Sequence, residues 1–517
     1  MKRRDFLRSS LAASAGIAAS PVLFGGIPVH AGTHNFFGTS AWEENDNILV
    51  VVQLFGGNDG LNTFVPFTDS KYYQNRPTLG VPPNQVLQIN NPTMGLHPEM
   101  EGFQQLFGEG KLSVVQSVGY EGANRSHFRS TDIWLTGSGA STVLNTGWAG
   151  RYLEGAYPNY PLELPPDPIA VQIGGTLSMM LQSSKGNMGI TLRDPQRFFD
   201  LGGQLNYADE TVPETDPYGK EYMFIRAIKE QSDAYRERVL SSFNTGQNIG
   251  SYPGSNLAQQ LRLVGRLISG GLQSKMYMVY LGGFDTHVNQ SNTHANLLRT
   301  VSDAVEAFVT DMNEQGHGQR VVGMTISEFG RRTKENGSLG TDHGTSSVQF
   351  LFGDPVNSGV LGKDPDFDVS DDSGDLIYNF DYRQIYSELL EHWFGVPEDD
   401  VTQLLGGRFV PLPVVRSTVG VDEPQHISDF NLAQNFPNPF SGSSGVTHIP
   451  FYVHAAAHVD IALYDVRGRE IGSIASGMYG AGRHTVQFAP SGLPPGMYFY
   501  RMTTGGRHVT RQMHVKR

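Results

Sequence analysis

The chain has 517 residues, 38% hydrophobic and 17% charged, with 61 glycines, 29 prolines and a net charge of −13. That length exceeds one ordinary hydrophobic core, so two or more domains are expected, and the glycine and proline content argues against a helical bundle. The acidic balance argues against nucleic acid as a partner, and the absence of cysteine excludes disulfides, thiolate metal sites and cysteine nucleophiles.

The charge is unevenly spread. Residues 436–517 hold eight basic side chains against three acidic ones (Asp460, Asp465 and Glu470), a net +5, which leaves −18 for the rest. A basic segment behind an acidic body points to a separate task for that segment.

The chain opens with Lys2-Arg3-Arg4-Asp5-Phe6-Leu7-Arg8, then a run of small and apolar residues that ends at Val29-His30-Ala31. A basic start, an apolar middle and a small-residue end predict a signal peptide over residues 1–31. Arg3-Arg4 followed by Phe6-Leu7 resembles the twin-arginine export signal. Proteins exported that way travel folded, often with a metal already loaded. The competing reading is a membrane anchor, but Ser, Gly and Pro interrupt the run, and no other stretch approaches the roughly 18–20 apolar residues of a span.

Residues 48–67, ILVVVQLFGGNDGLNTFVPF, predict a short buried strand stopped by Gly56-Gly57, with Asp59 at its carboxyl end. Ligands of open α/β sheets bind just outside such ends, although Asn-Asp-Gly also makes a plain turn. Residues 68–96 read as a surface loop, 97–110 as a short helix ended by glycines, and 111–118 as a second strand. Ser126 is placed to cap a helix with Phe128, Ile133, Trp134 and Leu135 as its apolar positions. The amide groups at such a helix start suit an oxyanion, and equally a plain cap.

Residues 169–173 and 177–181 read as strands, 221–239 as a charged helix and 241–255 as a polar loop. Residues 256–268 form an amphipathic helix with Leu257, Leu261, Val264 and Leu267 on one face. A strand over 275–280 leads to Gly282-Gly283-Phe284-Asp285-Thr286-His287, in which Asp285 and His287 share a face of an extended backbone. A helix beginning at His294 runs to about Met312. A strand over 320–326 ends in Ser327-Glu328-Phe329-Gly330-Arg331-Arg332. A glycine-rich loop then delivers Thr341-Asp342-His343-Gly344, ahead of a strand over 348–352. The acidic stretch 362–375 lacks the spacing of a calcium loop and reads as solvated. Residues 382–394 read as a helix. The alternation predicts an α/β sheet with helices on both faces.

Three strand ends thus carry an acid (Asp59, Asp285, Glu328), and His287, Asp342 and His343 lie in glycine-bounded loops. Carboxylates and imidazoles without thiolates suit zinc, manganese, calcium, magnesium or iron, as one ion or two. Such a centre would serve phosphoryl or sulfuryl transfer, with Ser126 as the attacking oxygen and Arg331, with Arg125 and Arg332, gripping the oxyanion. His127, His30, His34 and the tail histidines read as structural or incidental. The non-catalytic reading is that the acids order glycine loops and the histidines are satisfied structural residues.

The phrases LFGGNDGLNTFVPF, RSHFRSTDIWLTG, GGFDTH, SEFGR and GTDHG, in that order, resemble the exported bacterial family catalogued as domain of unknown function 1501, over roughly residues 47–406. That family is similar to the alkaline phosphatase and sulfatase superfamily. The resemblance implies an alkaline phosphatase-like α/β sheet. Asp59, Ser126, Asp285 with His287, Glu328 and His343 would fill the superfamily's metal and nucleophile slots in turn. Where the superfamily has Asp-His at its second acidic strand end, this chain has Glu328-Phe329, and the pair Asp285/His287 is spaced by two rather than four. The metal count therefore stays open.

The tail phrases NLAQNFPNPFSGSSGVTHIPF, VDIALYDVRGREI and GLPPGMYFYRMTTGGRHVTRQMHVKR resemble a type A sorting domain of type IX secretion. Alternating strands between Gly/Pro turns predict a small β-sandwich there. The expected organisation is a signal peptide (1–31), an alkaline phosphatase-like α/β domain (45–410), a linker (411–435) and a β-sandwich sorting domain (436–517), with tail cleavage near 425–435. The expected function is exported, metal-dependent hydrolysis of phosphate or sulfate esters. The alternative is a metal-binding or surface-binding envelope protein without turnover. The twin-arginine translocase and the type IX machinery are the implied partners.

Overall fold

The computed structural model describes residues 22–24, 27–29, 42, 45–161, 163–194, 235–371, 374–416 and most of 430–516. The expected signal peptide lies outside these, apart from the paired strands Val22–Phe24 and Ile27–Val29. The chain divides into two units, Met1–Val419 and Gly420–Arg517.

The first unit is built on a nine-stranded mixed sheet. Its strands are β1 (Ile48–Phe55), β2 (Leu112–Gly119), β3 (Ala170–Ile173), β4 (Ile190–Leu192), β5 (Met276–Gly282), β6 (Val321–Ile326), β7 (Ser347–Phe352), β8 (Gly359–Leu361) and β9 (Phe380–Asp381). The order is β4-β3-β5-β1-β6-β7-β2-β8, with β9 also on β2. Strands β4, β3, β5, β1 and β6 are parallel, and β7 runs antiparallel to both β6 and β2.

β1 is central because its aliphatic run can be covered on both sides. Leu49 and Val51 enter one core, whereas Ile48, Val50, Val52 and Leu54 enter the other. The first core receives α2 (His127–Thr136), α3 (Trp148–Ala156), α6 (Tyr382–Glu388) and α7 (Glu398–Leu405). The second receives α1 (Glu101–Gly108), α4 (Asn256–Ser269) and α5 (Gln290–Glu314). The predicted α/β sheet with helices on both faces is therefore present. Because β5, β1 and β6 are adjacent and parallel, Asp285, Asp59 and Glu328 follow strands that finish at one edge.

Several expectations change. Residues 68–96 are not a plain surface loop. They form a helix (Ser70–Asn75) and, with Phe64–Val65, a three-stranded antiparallel sheet, and Tyr72, Arg76 and Leu79 are buried. Residues 177–181 include a 3₁₀ turn (Met179–Leu181) rather than a strand. Phe128 is 83% exposed although it was expected in the apolar stripe of its helix. Helix α5 starts four residues before His294. The charged helix over 221–239 lies mostly outside the described residues, and its described part runs helical over 235–245, into the expected polar loop. The body also extends past 410, because Leu412, Val414 and Val415 are buried in its core; most of the rest of the expected linker is outside the described residues.

The second unit is all-β, with a three-stranded and a five-stranded sheet. In Ala457–Tyr464 the side chains of Val459, Ile461 and Leu463 are buried while those between them face outward. They share a core with Leu432, Phe440, Ile449, Phe451, Tyr500, Met502 and Met513. This is the two-sheet pattern expected from the alternating tail strands.

Candidate metal centre

Gly56 begins the site. Its φ of +124° and its closeness to the β5 loop both require glycine, since a Cβ there would stand 2.3 Å from the Asp285 backbone nitrogen. The loops after β1 and β5 thus touch backbone to backbone, and the loop after β6 joins them through side chains. Arg331 stitches them together. Its side chain is fully buried, and it donates to the carbonyls of Gly57 (2.8 Å), Thr341 (2.8 Å), Phe284 (3.0 Å) and Gly56. It also reaches Asp285 Oδ1 at 2.7 Å. The expected grip on a substrate oxyanion is therefore replaced by internal bonds. Arg125 is likewise committed, to Asp375 and Asp371.

Around Asp285 three histidines converge. Its Oδ1 lies 3.0 Å from His287 Nε2 and 3.1 Å from His343 Nε2, and its Oδ2 lies 3.4 Å from His127 Nε2. His287 Nε2 and His343 Nε2 are 2.9 Å apart. Donor atoms of His127, Asp285 and His343 all fall within 4.8 Å of one another, the one such group among the described residues. Burial pushes the Asp285 carboxyl up, but the hydrogen bond and charge of Arg331, with His343 and His287 alongside, prevail and hold it at about 2. It is a carboxylate throughout the working pH range.

Each histidine is held from behind. His127 Nδ1 meets buried Glu328 Oε1 at 2.8 Å, and that oxygen also accepts from the Gly56 amide at 2.9 Å. His343 Nδ1 donates to the Arg125 carbonyl at 2.8 Å, and His287 Nδ1 meets Asp342 Oδ1 at 3.1 Å. Phe329 lies beneath, its ring 4.9 Å from that of His127 and 4.5 Å from that of His343. His127 Nε2 is buried without a hydrogen-bond partner. An orphaned imidazole nitrogen facing a carboxylate and a second imidazole fits a divalent cation.

Of the residues expected at the site, Asp285, His287, Asp342, His343 and Glu328 come together, the last as a partner of His127. Asp59 stands apart. It is fully buried, ion-paired with the buried Arg76 (2.6 Å) and hydrogen-bonded by Gln290. Burial raises its pKa, yet the Arg76 charge and hydrogen bond outweigh this and hold the carboxyl below the usual range. Ser126 is exposed at the start of α2 and makes no side-chain cap bond. It sits between Arg125, whose carbonyl holds His343, and His127.

Two residues escaped the sequence reading. His127, expected to be incidental, is at the heart of the cluster; its signal was its place beside Ser126 at a helix start following a strand-end loop. Arg76 had no signal, being a lone cation in a Pro- and Asn-rich stretch.

Residues 211–410 match the family described as protein of unknown function (DUF1501), and residues 434–516 match the secretion system C-terminal sorting domain. No curated protein matches. Among solved structures, a protein in the alkaline phosphatase superfamily from Vibrio parahaemolyticus aligns at 10% identity over 91% of each chain, with a TM-score of 0.33. A sulfatase from Pseudoalteromonas sp. aligns at 11% identity over 86% of this chain and 83% of its own, also at 0.33. An alkylpurine DNA glycosylase of Pseudomonas fluorescens aligns at 12% identity over 17% of this chain, with a TM-score of 0.14, and the chain spans only 31% of that protein. No helix among the described residues is long and apolar enough to cross a membrane.

Proposed function

For a chain that resembles the DUF1501 proteins in its body and carries a secretion sorting domain in its tail, we propose exported, metal-dependent hydrolysis of phosphate or sulfate esters. The observation that carries this reading is the convergence of His127, Asp285 and His343 donor atoms at the carboxyl edge of the sheet. His287 adjoins them. A divalent ion held there would polarise an ester oxygen and favour loss of a nearby hydroxyl proton.

The chain's own contribution is positioning. Ser126 presents an uncapped hydroxyl at the amino end of α2, where the helix dipole favours negative charge. Its oxygen would bond to phosphorus or sulfur as the ester bond breaks and the departing alcohol takes a proton. Water would then release phosphate or sulfate and restore the serine. Arg331 keeps Asp285 ionised and aimed, and Phe329 shields the floor. The sorting domain supports release through type IX secretion, and the paired arginines Arg3-Arg4 support prior twin-arginine export through the periplasm.

One observation favours the non-catalytic alternative: Arg331 and Arg125 are both spent on internal partners. The test is elemental analysis of full-length protein purified without chelator, followed by assays on p-nitrophenyl phosphate and p-nitrophenyl sulfate. Hydrolysis that disappears in Ser126→Ala with the metal retained, and in Asp285→Ala with the metal lost, is the expected result. Bound metal with no turnover on either ester class would leave a binding protein.

A further inference from the structure

We infer that Phe55, Tyr280 and Arg193 form a distal subsite beside the centre. It takes an extended acidic oligosaccharide whose further negative charge lies roughly 10–15 Å, two to three strand spacings, from the ester. This deepens the ester-hydrolase reading, which supplies the scissile group; the subsite itself rests on the geometry beside it.

Side chains alternate across a strand, so the two cores fix which residues share a face at the carboxyl edge. Val51 on β1 and Met278 on β5 enter the first core, whereas Leu192 on β4 enters the second. Phe55, Tyr280 and Arg193 therefore all fall on the first face, where α2 packs. β1, β5, β3 and β4 are successive parallel neighbours, so these side chains form a row along the sheet edge, about 14 Å from β1 to β4. At its near end the Phe55 ring lies 5.8 Å from that of His127. In the middle Tyr280 lies beside Gly174, where a Cβ would stand 3.3 Å from the Tyr280 ring. At the far end the Arg193 guanidinium occupies the space that a Cβ on Gly175 would fill.

These groups are open and uncommitted. Phe55 is 41% and Tyr280 48% exposed, and Arg193 is exposed as well. Among the described residues no hydrogen bond or ion pair engages the Arg193 guanidinium or the Tyr280 hydroxyl. Arg331, Arg125 and Arg76, by contrast, are all spent on internal partners. Bare aromatic rings take the C–H-rich face of a pyranose ring, through burial of apolar area and dispersion. A free guanidinium takes a sulfate, phosphate or carboxylate through paired N–H bonds. A nucleic acid also offers rings and charges, but it needs a cation for each phosphate it lays down, and the row has one among the described residues. An oligosaccharide needs only the one.

The test is calorimetric titration of full-length protein with sulfated maltotetraose, unsulfated maltotetraose and oligothymidylate, alongside turnover of p-nitrophenyl sulfate. Sulfated maltotetraose should bind, and its unsulfated counterpart should bind about tenfold more weakly or worse, as expected for one charge-assisted contact. Arg193→Gln should weaken the sulfated sugar about 10- to 100-fold. Arg193→Lys, which keeps the charge without the planar fork, should recover only part of that loss. Phe55→Ser and Tyr280→Ser should each cost about 3- to 10-fold through lost apolar contact. Gly175→Val keeps the charge but fills the space of the guanidinium, so it should weaken binding too. Circular dichroism melts check that each variant folds. Equal affinity for the two maltotetraoses, unaltered affinity in Arg193→Gln, no binding by folded protein, or tighter binding of oligothymidylate would overturn the inference. Arg193-dependent binding without turnover of any ester would sink the hydrolase reading and leave the subsite standing. Turnover of p-nitrophenyl sulfate without affinity for sulfated maltotetraose would do the reverse.

Discussion

Arg76 and Asp59 show how much one buried pair can govern. Arg76 donates to Asp59 and to Asn62 Oδ1 (2.6 Å each), and to the carbonyls of Thr333 (2.9 Å) and Arg332 (2.7 Å). Gln290 links Asp59 to the loops of the candidate centre, because its Oε1 accepts from Thr286 (3.1 Å) and Thr341 (2.6 Å). Thr286 lies between Asp285 and His287, and Thr341 directly precedes Asp342-His343. Arg76→Met strands Asp59 as an unpaired buried charge, so a loss of about 3–5 kcal/mol is expected in denaturant unfolding. Asp59→Asn combined with Arg76→Met should recover most of that loss, because both charges then leave the interior. A double variant no more stable than Arg76→Met alone would show that Arg76 acts through packing instead. None of this was legible locally. The side-chain partners of Arg76 lie 14 to 257 residues away in sequence, and nothing around Arg76 announces a buried cation.

At the scale of elements, the strand-end loops are the working parts. β1, β5 and β6 could be read from the sequence, because a continuous β-branched or aliphatic run stopped by glycine or a polar pair suits little else. What each loop side chain would meet could not. Arg331 reads as an oxyanion grip beside Glu328, yet it turns inward to four carbonyls and Asp285. His127 reads as incidental, yet its helix delivers it to Glu328, 201 residues on. Gly56→Ala should cost at least about 1–3 kcal/mol through strain at positive φ, and should also weaken any divalent metal held by Asp285, since the Cβ would push the Asp285 backbone away. Melting temperature and metal titration on the same sample would check both. The turn at His97 carries a pH signature. Burial, only partly opposed by the charges of Glu99 and Asp59, lowers this histidine to about 4. An unfolded histidine titrates near about 6.5, so the unfolded chain binds the proton first as pH falls. Stability is then full above about 6.5 and declines toward 4, by up to roughly 3 kcal/mol. His97→Gln should flatten that part of the stability–pH curve; an unchanged slope would place its origin elsewhere.

Across the whole molecule, body and tail have separate cores. Calorimetry of full-length protein should resolve two transitions, of which a divalent ion bound at the candidate centre would raise only the body's; at a hundred times the dissociation constant the gain is about 2.7 kcal/mol. A single transition that shifts as one with added metal would mean that the units fold together. The sequence by itself determined the α/β class, the sorting domain, and the Asp285, His287, Glu328, Asp342 and His343 motifs, because periodicity and glycine punctuation are local properties of a chain. Only the tertiary structure decided that His127 belongs with them, that Arg76 answers Asp59, and that Arg331 faces inward. The reason is physical: a side chain's charge state, tautomer and partners depend on what burial brings beside it, and those neighbours come from distant parts of the chain.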